Sequence, residues 1–218
     1  MKILYRFVLF SILFNIVPVY SQQYDEIEIK AEAILISMAE NSIFPENDFL
    51  EIKNLLLSKT ERILGNTGSV PNVETIEELT NHLLVFEAEK FGVNTDSALI
   101  LFVGWYLHLQ RTYYYPNRES FFKSSKPKIL FFSTSVSCHC TLEMCKKQLI
   151  DILKLKREKK EVYSFLIVDA FGNNELQKDY NALFVPSVLV FDEENKLQLK
   201  IEYKENMIDS LTNHLNKI

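Results

Sequence analysis

The sequence has no excess of basic residues. Its 24 lysines and arginines are outnumbered by 29 aspartates and glutamates, and the formal net charge is −5. Nucleic-acid-binding proteins neutralise phosphates with a basic surface, so this deficit argues against a nucleic-acid partner. Internal repeats and low-complexity tracts are also lacking. A chain of 218 residues is long enough for one medium-sized domain or two small ones. Its hydrophobic fraction of 47% is sufficient for apolar cores.

The N-terminus lacks an apolar run long enough for an ordinary membrane span. Residues 7–20 are almost entirely apolar, but they include Asn15 and Pro18, and a span needs roughly 20 apolar residues. Two basic residues precede the run and Ser21 follows it, which is the layout of a cleavable secretory signal. We expect residues 1–21 to be this signal, with an uncleaved anchor as the alternative. The protein would then be exported, periplasmic or extracellular, with contact to the membrane only through the signal.

Residues 22–116 are predicted to form a helical N-terminal domain, because apolar residues recur there at helical spacing. The apolar positions of three helices are Ile27, Ala31, Ile34 and Met38; Phe49, Ile52, Leu56 and Ile63; and Ile76, Leu79, Leu83 and Phe86. A fourth helix is predicted from about Asp96 to Thr112, closed by Pro116. Residues 117–126 are polar around Phe121 and Phe122 and are interpreted as a linker.

The helical region offers no catalytic pattern. His82 is next to the core-facing Leu83, and His108 lies on an aromatic-rich helix, so both are interpreted as packed or surface histidines rather than ligands. Selection of a client and dimerisation are two roles open to this region.

Residues 127–218 show a different pattern, in which short apolar runs alternate with helical segments. Strands are predicted at 128–132, 163–168, 187–191 and 197–203, and helices at about 141–160, 174–183 and 207–216. The resulting order is β-α-β-α-β-β-α. A strand, a long helix and a second strand in succession predict a parallel pair with a crossover connection.

All three cysteines, Cys138, Cys140 and Cys145, lie within eight residues. Such spacing does not suit a framework that joins distant loops, so a local chemical role is expected. Cys138 and Cys140 are predicted to precede the helix, where the helix dipole and unpaired N–H groups lower a thiol pKa. Cys145, one turn inside, is predicted to face the sheet as a third catalytic cysteine or as a small core residue.

The element order, the cysteine cluster after the first strand and the segment Val185-Pro186-Ser187 resemble the thioredoxin superfamily over about ninety residues. The resemblance implies an α/β thioredoxin-like domain at 127–218, a cis Pro186 and a substrate-facing Val185. It also implies a protein thiol or disulfide as client or redox partner, with no cofactor. The chain departs from the family at the site itself, which has neither Cys-x-x-Cys nor a tryptophan before the first cysteine.

Three functions remain open for this Cys-His-Cys site. The leading hypothesis is thiol–disulfide exchange, with catalytic Cys138, Cys140 and Cys145 and with His139, Val185 and Pro186 contacting the substrate. Either a strained Cys138–Cys140 or a Cys140–Cys145 disulfide would form, the latter only if the helix starts late. His139 would stabilise a thiolate when protonated or stay free in solvent. The alternatives are a non-catalytic binding module and a copper or zinc site at Cys138, His139 and Cys140.

Overall fold

The structure is a computed structural model and describes residues 17–41, 44–64, 73–89 and 95–217. Most of the predicted signal, residues 1–16, lies outside the described residues. The predicted cleavage point after Ser21 falls within the first described helix, α1 (Val17–Asn41). Within the described ranges, no helix combines the length and apolarity needed to cross a membrane.

The element order is four helices followed by a mixed α/β unit. The helices α1 (Val17–Asn41), α2 (Glu46–Leu64), α3 (Val73–Glu89) and α4 (Thr95–Lys123) come first; then β1 (Lys128–Ser133), α5 (His139–Lys159), β2 (Ser164–Asp169), α6 (Asn174–Asp179), β3 (Ser187–Phe191), β4 (Leu197–Glu202) and α7 (Met207–Leu215). The predicted order of the C-terminal half is therefore confirmed. Element bounds differ from the prediction by a few residues, most at α6, which ends at Asp179.

The four strands form one sheet in the order β2-β1-β3-β4. Strand β1 pairs in parallel with β2 and antiparallel with β3, and β3 pairs antiparallel with β4. The carboxyl ends of β1, β2 and β4 and the amino end of β3 consequently share one edge of the sheet. We call it the thiol edge, because the loop after β1 leads from it to the cysteines.

Alternating strand residues point to opposite faces of the sheet, and helices cover both faces. On one face Ile129 and Phe131 pack in a core shared with α5, α7 and the helical N-terminal region. On the other face Leu130 and Phe132 pack with Phe121 near the end of α4 and with α6. The two halves of the chain therefore share a continuous core.

The sequence predicted that helix α4 ends before Pro116. The helix instead continues to Lys123. Much of the predicted linker at 117–126 is thus helical. A proline inside a helix removes one backbone hydrogen bond. Burial of Phe121 against Leu130 and Phe132 offsets that loss, and the pair Phe121-Phe122 was the signal for a packed helix rather than a linker.

Candidate functional site

Two exposed thiols occupy the first turn of α5. Cys138 is the N-cap residue, with an extended backbone at φ −67° and ψ 156°, and its carbonyl accepts the first helical hydrogen bond from Leu142 N at 3.0 Å. The helix begins at His139, two residues before the predicted start, so Cys140 lies inside the first turn rather than before it. His139 is exposed beside the pair.

Cys138 has the contacts of a stabilised thiolate. Its Sγ lies 3.0 Å from Cys140 Sγ and 3.2 Å from Thr141 Oγ1. Hydrogen bonding from the Cys140 thiol, and then from the Thr141 hydroxyl and backbone N–H, lowers the pKa of Cys138 to about 6. The lowered pKa favours the thiolate of Cys138 at neutral pH, and a thiolate is the form of cysteine that acts as a nucleophile.

Cys145 has the opposite environment. It is fully buried, and burial raises the pKa of its thiol, although contacts with Ser133 and the Thr134 backbone act in the other direction. All three cysteines are free thiols. A Cys140–Cys145 disulfide was expected only if the helix started late. The helix starts early, at His139, so the structure does not favour this disulfide. The predicted inward direction of Cys145 is confirmed.

The loop that carries Cys138 is anchored by a buried carboxylate, Asp169, at the end of β2. Its Oδ1 accepts hydrogen bonds from Ser135 N at 3.0 Å and Phe171 N at 3.2 Å, and its Oδ2 accepts one from Ser135 Oγ at 2.7 Å. Asp169 joins the loops after β1 and β2. Sequence reasoning missed it, although an acid directly after the buried run Leu166-Ile167-Val168 was a signal for an internal partner.

We expect Asp169→Ala to destabilise the fold by about 1–3 kcal/mol, because the part-buried donors of Ser135 and Phe171 lose their buried acceptor. Asp169→Asn keeps an oxygen acceptor and is the matched control, with a smaller loss. Urea unfolding of both variants measures the difference. Equal stability of the two variants would contradict the anchoring role.

The Val185–Pro186 peptide bond is cis, as the resemblance implied. Pro186 directly precedes Ser187, which pairs with Phe132 near the end of β1, so Pro186 lies at the thiol edge. Pro186 is buried and Val185 is half-buried. Five large apolar side chains from the four loops of this edge are exposed: Val136, Phe171, Leu183, Phe184 and Tyr203.

A three-ligand metal site at the cysteines does not form among the described residues. Cys138 and Cys140 approach each other, but together with His139 they do not bring three ligand atoms to one point. The copper or zinc alternative at Cys138, His139 and Cys140 therefore gains no support from the geometry.

Comparison with known proteins gives structural matches only. No family model matches the sequence, and no curated protein is significantly similar to it. The thioredoxin Deadhead from Drosophila melanogaster is 19% identical, with a TM-score of 0.40, over 48% of this chain and 90% of that one. Mitochondrial thioredoxin 3 from Saccharomyces cerevisiae is 14% identical, with a TM-score of 0.39, over 48% and 90%. Thioredoxin from Trypanosoma brucei brucei is 19% identical, with a TM-score of 0.39, over 47% and 82%.

The C-terminal half has a thioredoxin-like fold, preceded by a helical N-terminal region. Its own topology carries this statement: a β-α-β-α-β-β-α order, the sheet order β2-β1-β3-β4, and a cis proline directly before β3. At such low identity, the roles of individual residues do not transfer from these structures.

Proposed function

We propose that the protein exchanges thiols and disulfides with a protein client, with Cys138 as nucleophile and Cys140 as resolving cysteine. The observation that carries this proposal is the lowered pKa of Cys138, about 6, beside a second exposed sulfur at 3.0 Å. A thiolate is the attacking species in disulfide exchange, and a neighbouring thiol completes the reaction.

The reaction proceeds in two displacements. The Cys138 thiolate attacks one sulfur of the client disulfide, forms a mixed disulfide and releases the other client sulfur as a thiolate, which takes up a proton. Cys140 then loses its proton and attacks Cys138 Sγ, which releases the client as a dithiol and leaves a Cys138–Cys140 disulfide. The client gains the two electrons that the protein dithiol loses. The reverse sequence donates a disulfide to a reduced client.

The spacing of the pair differs from that of Cys-x-x-Cys. In that motif the second cysteine lies three residues after the first, and here Thr141 occupies this position. Its hydroxyl is 3.2 Å from Cys138 Sγ and supports the thiolate without being able to resolve a mixed disulfide. Resolution is therefore assigned to Cys140. Cys145, which sequence analysis included as catalytic, is assigned a packing role because it is fully buried.

The client surface is proposed to be the thiol edge. Val185 and Pro186 border it, and the exposed side chains Val136, Phe171 and Phe184 provide apolar area for an extended polypeptide next to Cys138. Exposed apolar patches of this kind mark interaction sites on soluble domains. They also favour a second candidate function, a binding module that holds a client without turnover.

A trapping experiment tests the proposal and separates the two candidates. Reduced Cys140→Ser protein, incubated with a peptide disulfide, is expected to accumulate a covalent adduct at Cys138, since serine cannot resolve it. Wild-type protein should release the reduced peptide and form a Cys138–Cys140 disulfide, which mass mapping identifies. A peptide that binds but leaves all thiols unmodified would favour the binding module, and an adduct at Cys145 would contradict the assignment of Cys138.

The pH profile of Cys138 alkylation gives a separate prediction. The alkylation rate of wild-type Cys138 should rise with pH and level off, with a midpoint near pH 6, because only the thiolate reacts and the pKa of Cys138 is about 6. Cys140→Ser keeps a hydrogen-bond donor and should keep a low midpoint, whereas Cys140→Ala removes the largest stabilising contact and should move it upward. Peptide mass mapping after iodoacetamide treatment measures the rate at Cys138. Identical midpoints for the serine and alanine variants would contradict this account.

Export is part of the proposal. Residues 1–21 support it through their basic start, short apolar run and Ser21 at the expected cut. Export into an oxidising compartment would supply disulfide-containing clients. N-terminal sequencing of the protein recovered from a secreting host should begin at Gln22, and a start at Met1 would contradict cleavage.

A further inference from the structure

Three side chains of the helical region converge at a point remote in sequence from the cysteines. Glu78 and His82 lie one turn apart on α3, and His108 faces them from α4. One ligand atom from each residue lies within 4.8 Å of the other two. The two imidazole rings have centroids 4.6 Å apart, and His108 Nε2 is 3.8 Å from Glu78 Oε1. Among the described residues, this is the one place where three histidine, cysteine, aspartate or glutamate side chains bring ligand atoms this close together.

The helix crossing beneath the cluster is fixed by a buried contact. Trp105 Nε1 donates a hydrogen bond to the Leu79 carbonyl oxygen at 3.1 Å, and both residues are buried. Leu79 directly follows Glu78, and Trp105 precedes His108 by about one helical turn. The backbones that carry the three side chains are therefore held in register before any ligand binds, which lowers the cost of assembling a site.

The cluster has a closed side and an open side. The His108 side chain is 8% exposed, whereas that of Glu78 is 54% exposed and His82 is also exposed. An ion can thus reach the cluster from solvent past Glu78 and His82, with His108 as its inner ligand. Water would complete the coordination on the open side.

The distances suit a small transition-metal ion. Zinc binds histidine nitrogen at about 2.0–2.1 Å, so two imidazoles on one tetrahedral ion have ring centres roughly 5 Å apart, close to the separation found here. Tetrahedral ligand atoms are roughly 3.3 Å apart at those bond lengths. The ligand atoms of the cluster are now up to 4.8 Å apart. Rotation of the exposed Glu78 and His82 side chains would bring their ligand atoms to the shorter tetrahedral separation.

We propose that Glu78, His82 and His108 form a binding site for a divalent transition metal of the zinc type. Two neutral imidazoles and one carboxylate are a donor set that such ions bind readily, with water at a fourth position. The bound ion joins α3 to α4 and stabilises the helical region. The site is separate from the proposed redox function of the cysteines and does not depend on it.

No sequence pattern indicates that Glu78, His82 and His108 lie together. His82 and His108 were interpreted individually as packed or surface histidines, and the burial of His108 agrees with that interpretation. Glu78 and His82 have the i, i+4 spacing of a helical ligand pair, but the partner from α4 is identified only by the crossing of the two helices.

Titration of the full chain with Co²⁺ and Zn²⁺ tests the proposal. Cysteines also bind these ions, so the titration is made in a Cys138→Ser, Cys140→Ser background and followed by Co²⁺ absorption. We expect one equivalent to bind, with d–d bands and without a thiolate-to-cobalt charge-transfer band. Zn²⁺ should displace the Co²⁺ and raise the melting temperature.

Two exposed ligands provide variants that do not disturb the core. His82→Gln and Glu78→Gln should each lower Co²⁺ and Zn²⁺ affinity by roughly tenfold or more and remove the rise in melting temperature. Glu77→Gln, an exposed neighbour outside the cluster, is the matched control and should leave both unchanged. Failure of the double-serine protein to bind Co²⁺, or an affinity that His82→Gln leaves unchanged, would overturn the proposal.

Discussion

Cys138→Ser is expected to lower the proposed disulfide exchange by roughly 1,000-fold or more, since it removes the thiolate to which we assign the attack. Cys138 is exposed at the N-cap of α5, and serine is a favourable N-cap residue, so the fold should be unaffected. Reduction of a peptide disulfide under single-turnover conditions measures the rate. Circular dichroism of the same preparations confirms that any loss arises from chemistry rather than from unfolding.

Cys145→Ala is the matched control for this substitution. Cys145 is fully buried and its thiol pKa is raised, so it should contribute packing but no nucleophile. We expect the variant to keep wild-type exchange with a stability loss of about 1 kcal/mol. Full activity in Cys138→Ser together with loss in Cys145→Ala would place the nucleophile at Cys145 and contradict the proposed mechanism.

Local patterns were sufficient to predict the order of elements in the C-terminal half. Strand β3 has the predicted bounds Ser187–Phe191, because a fully buried strand is a continuous apolar run. The inward direction of Cys145 followed from its helical register with Leu149. The start of α5 was predicted too late because the N-cap residue, Cys138, is not one of the residue types that usually mark a helix start in a sequence.

The contacts that shape the site could not be predicted in the same way, because they join residues distant in sequence. Asp169 holds Ser135 across 34 positions, and only the parallel pairing of β1 with β2 brings them together. The pKa of Cys138 likewise depends on where the first turn places Cys140 and Thr141. The sequence shows that these carboxyl, hydroxyl and thiol groups are present, but only the fold determines the distances between them.

The joining of the two halves is also a product of the fold. Lys156 on α5 lies 3.1 Å from Glu28 Oε1 and 2.6 Å from Glu32 Oε1, both on α1. Tyr106 and Gln110 on α4 donate hydrogen bonds to the same two carboxylates. Burial alone would lower the pKa of Lys156, but the two acids outweigh that effect and raise it. Burial raises the pKa of Glu32, and Lys156 opposes the rise.

Lys156→Met should therefore destabilise the protein by about 3 kcal/mol at pH 7, because two carboxylates that are only 17% and 14% exposed lose their counter-charge. Lys154→Met is the matched control, since Lys154 and Glu40 form an exposed pair at 3.1 Å, and its cost should be under about 1 kcal/mol. Denaturant unfolding measures both. The single tryptophan, Trp105, reports on the helical half, and alkylation of buried Cys145 reports on the other.

Low pH should reduce the loss of folding stability that Lys156→Met causes. Burial already raises the folded-state pKa of Glu32, and removal of the opposing Lys156 charge raises this pKa further above its unfolded value. The folded state of the variant then binds more protons than the unfolded chain, and its stability increases as pH falls toward the unfolded pKa of about 4. Adding Glu28→Gln and Glu32→Gln to Lys156→Met should restore most of the stability at pH 7. The new side chains carry no charge, and their amide oxygens still accept the hydrogen bonds of Tyr106 and Gln110. A loss equal to that of Lys154→Met, or one independent of pH, would show that this ion network does not hold the halves together.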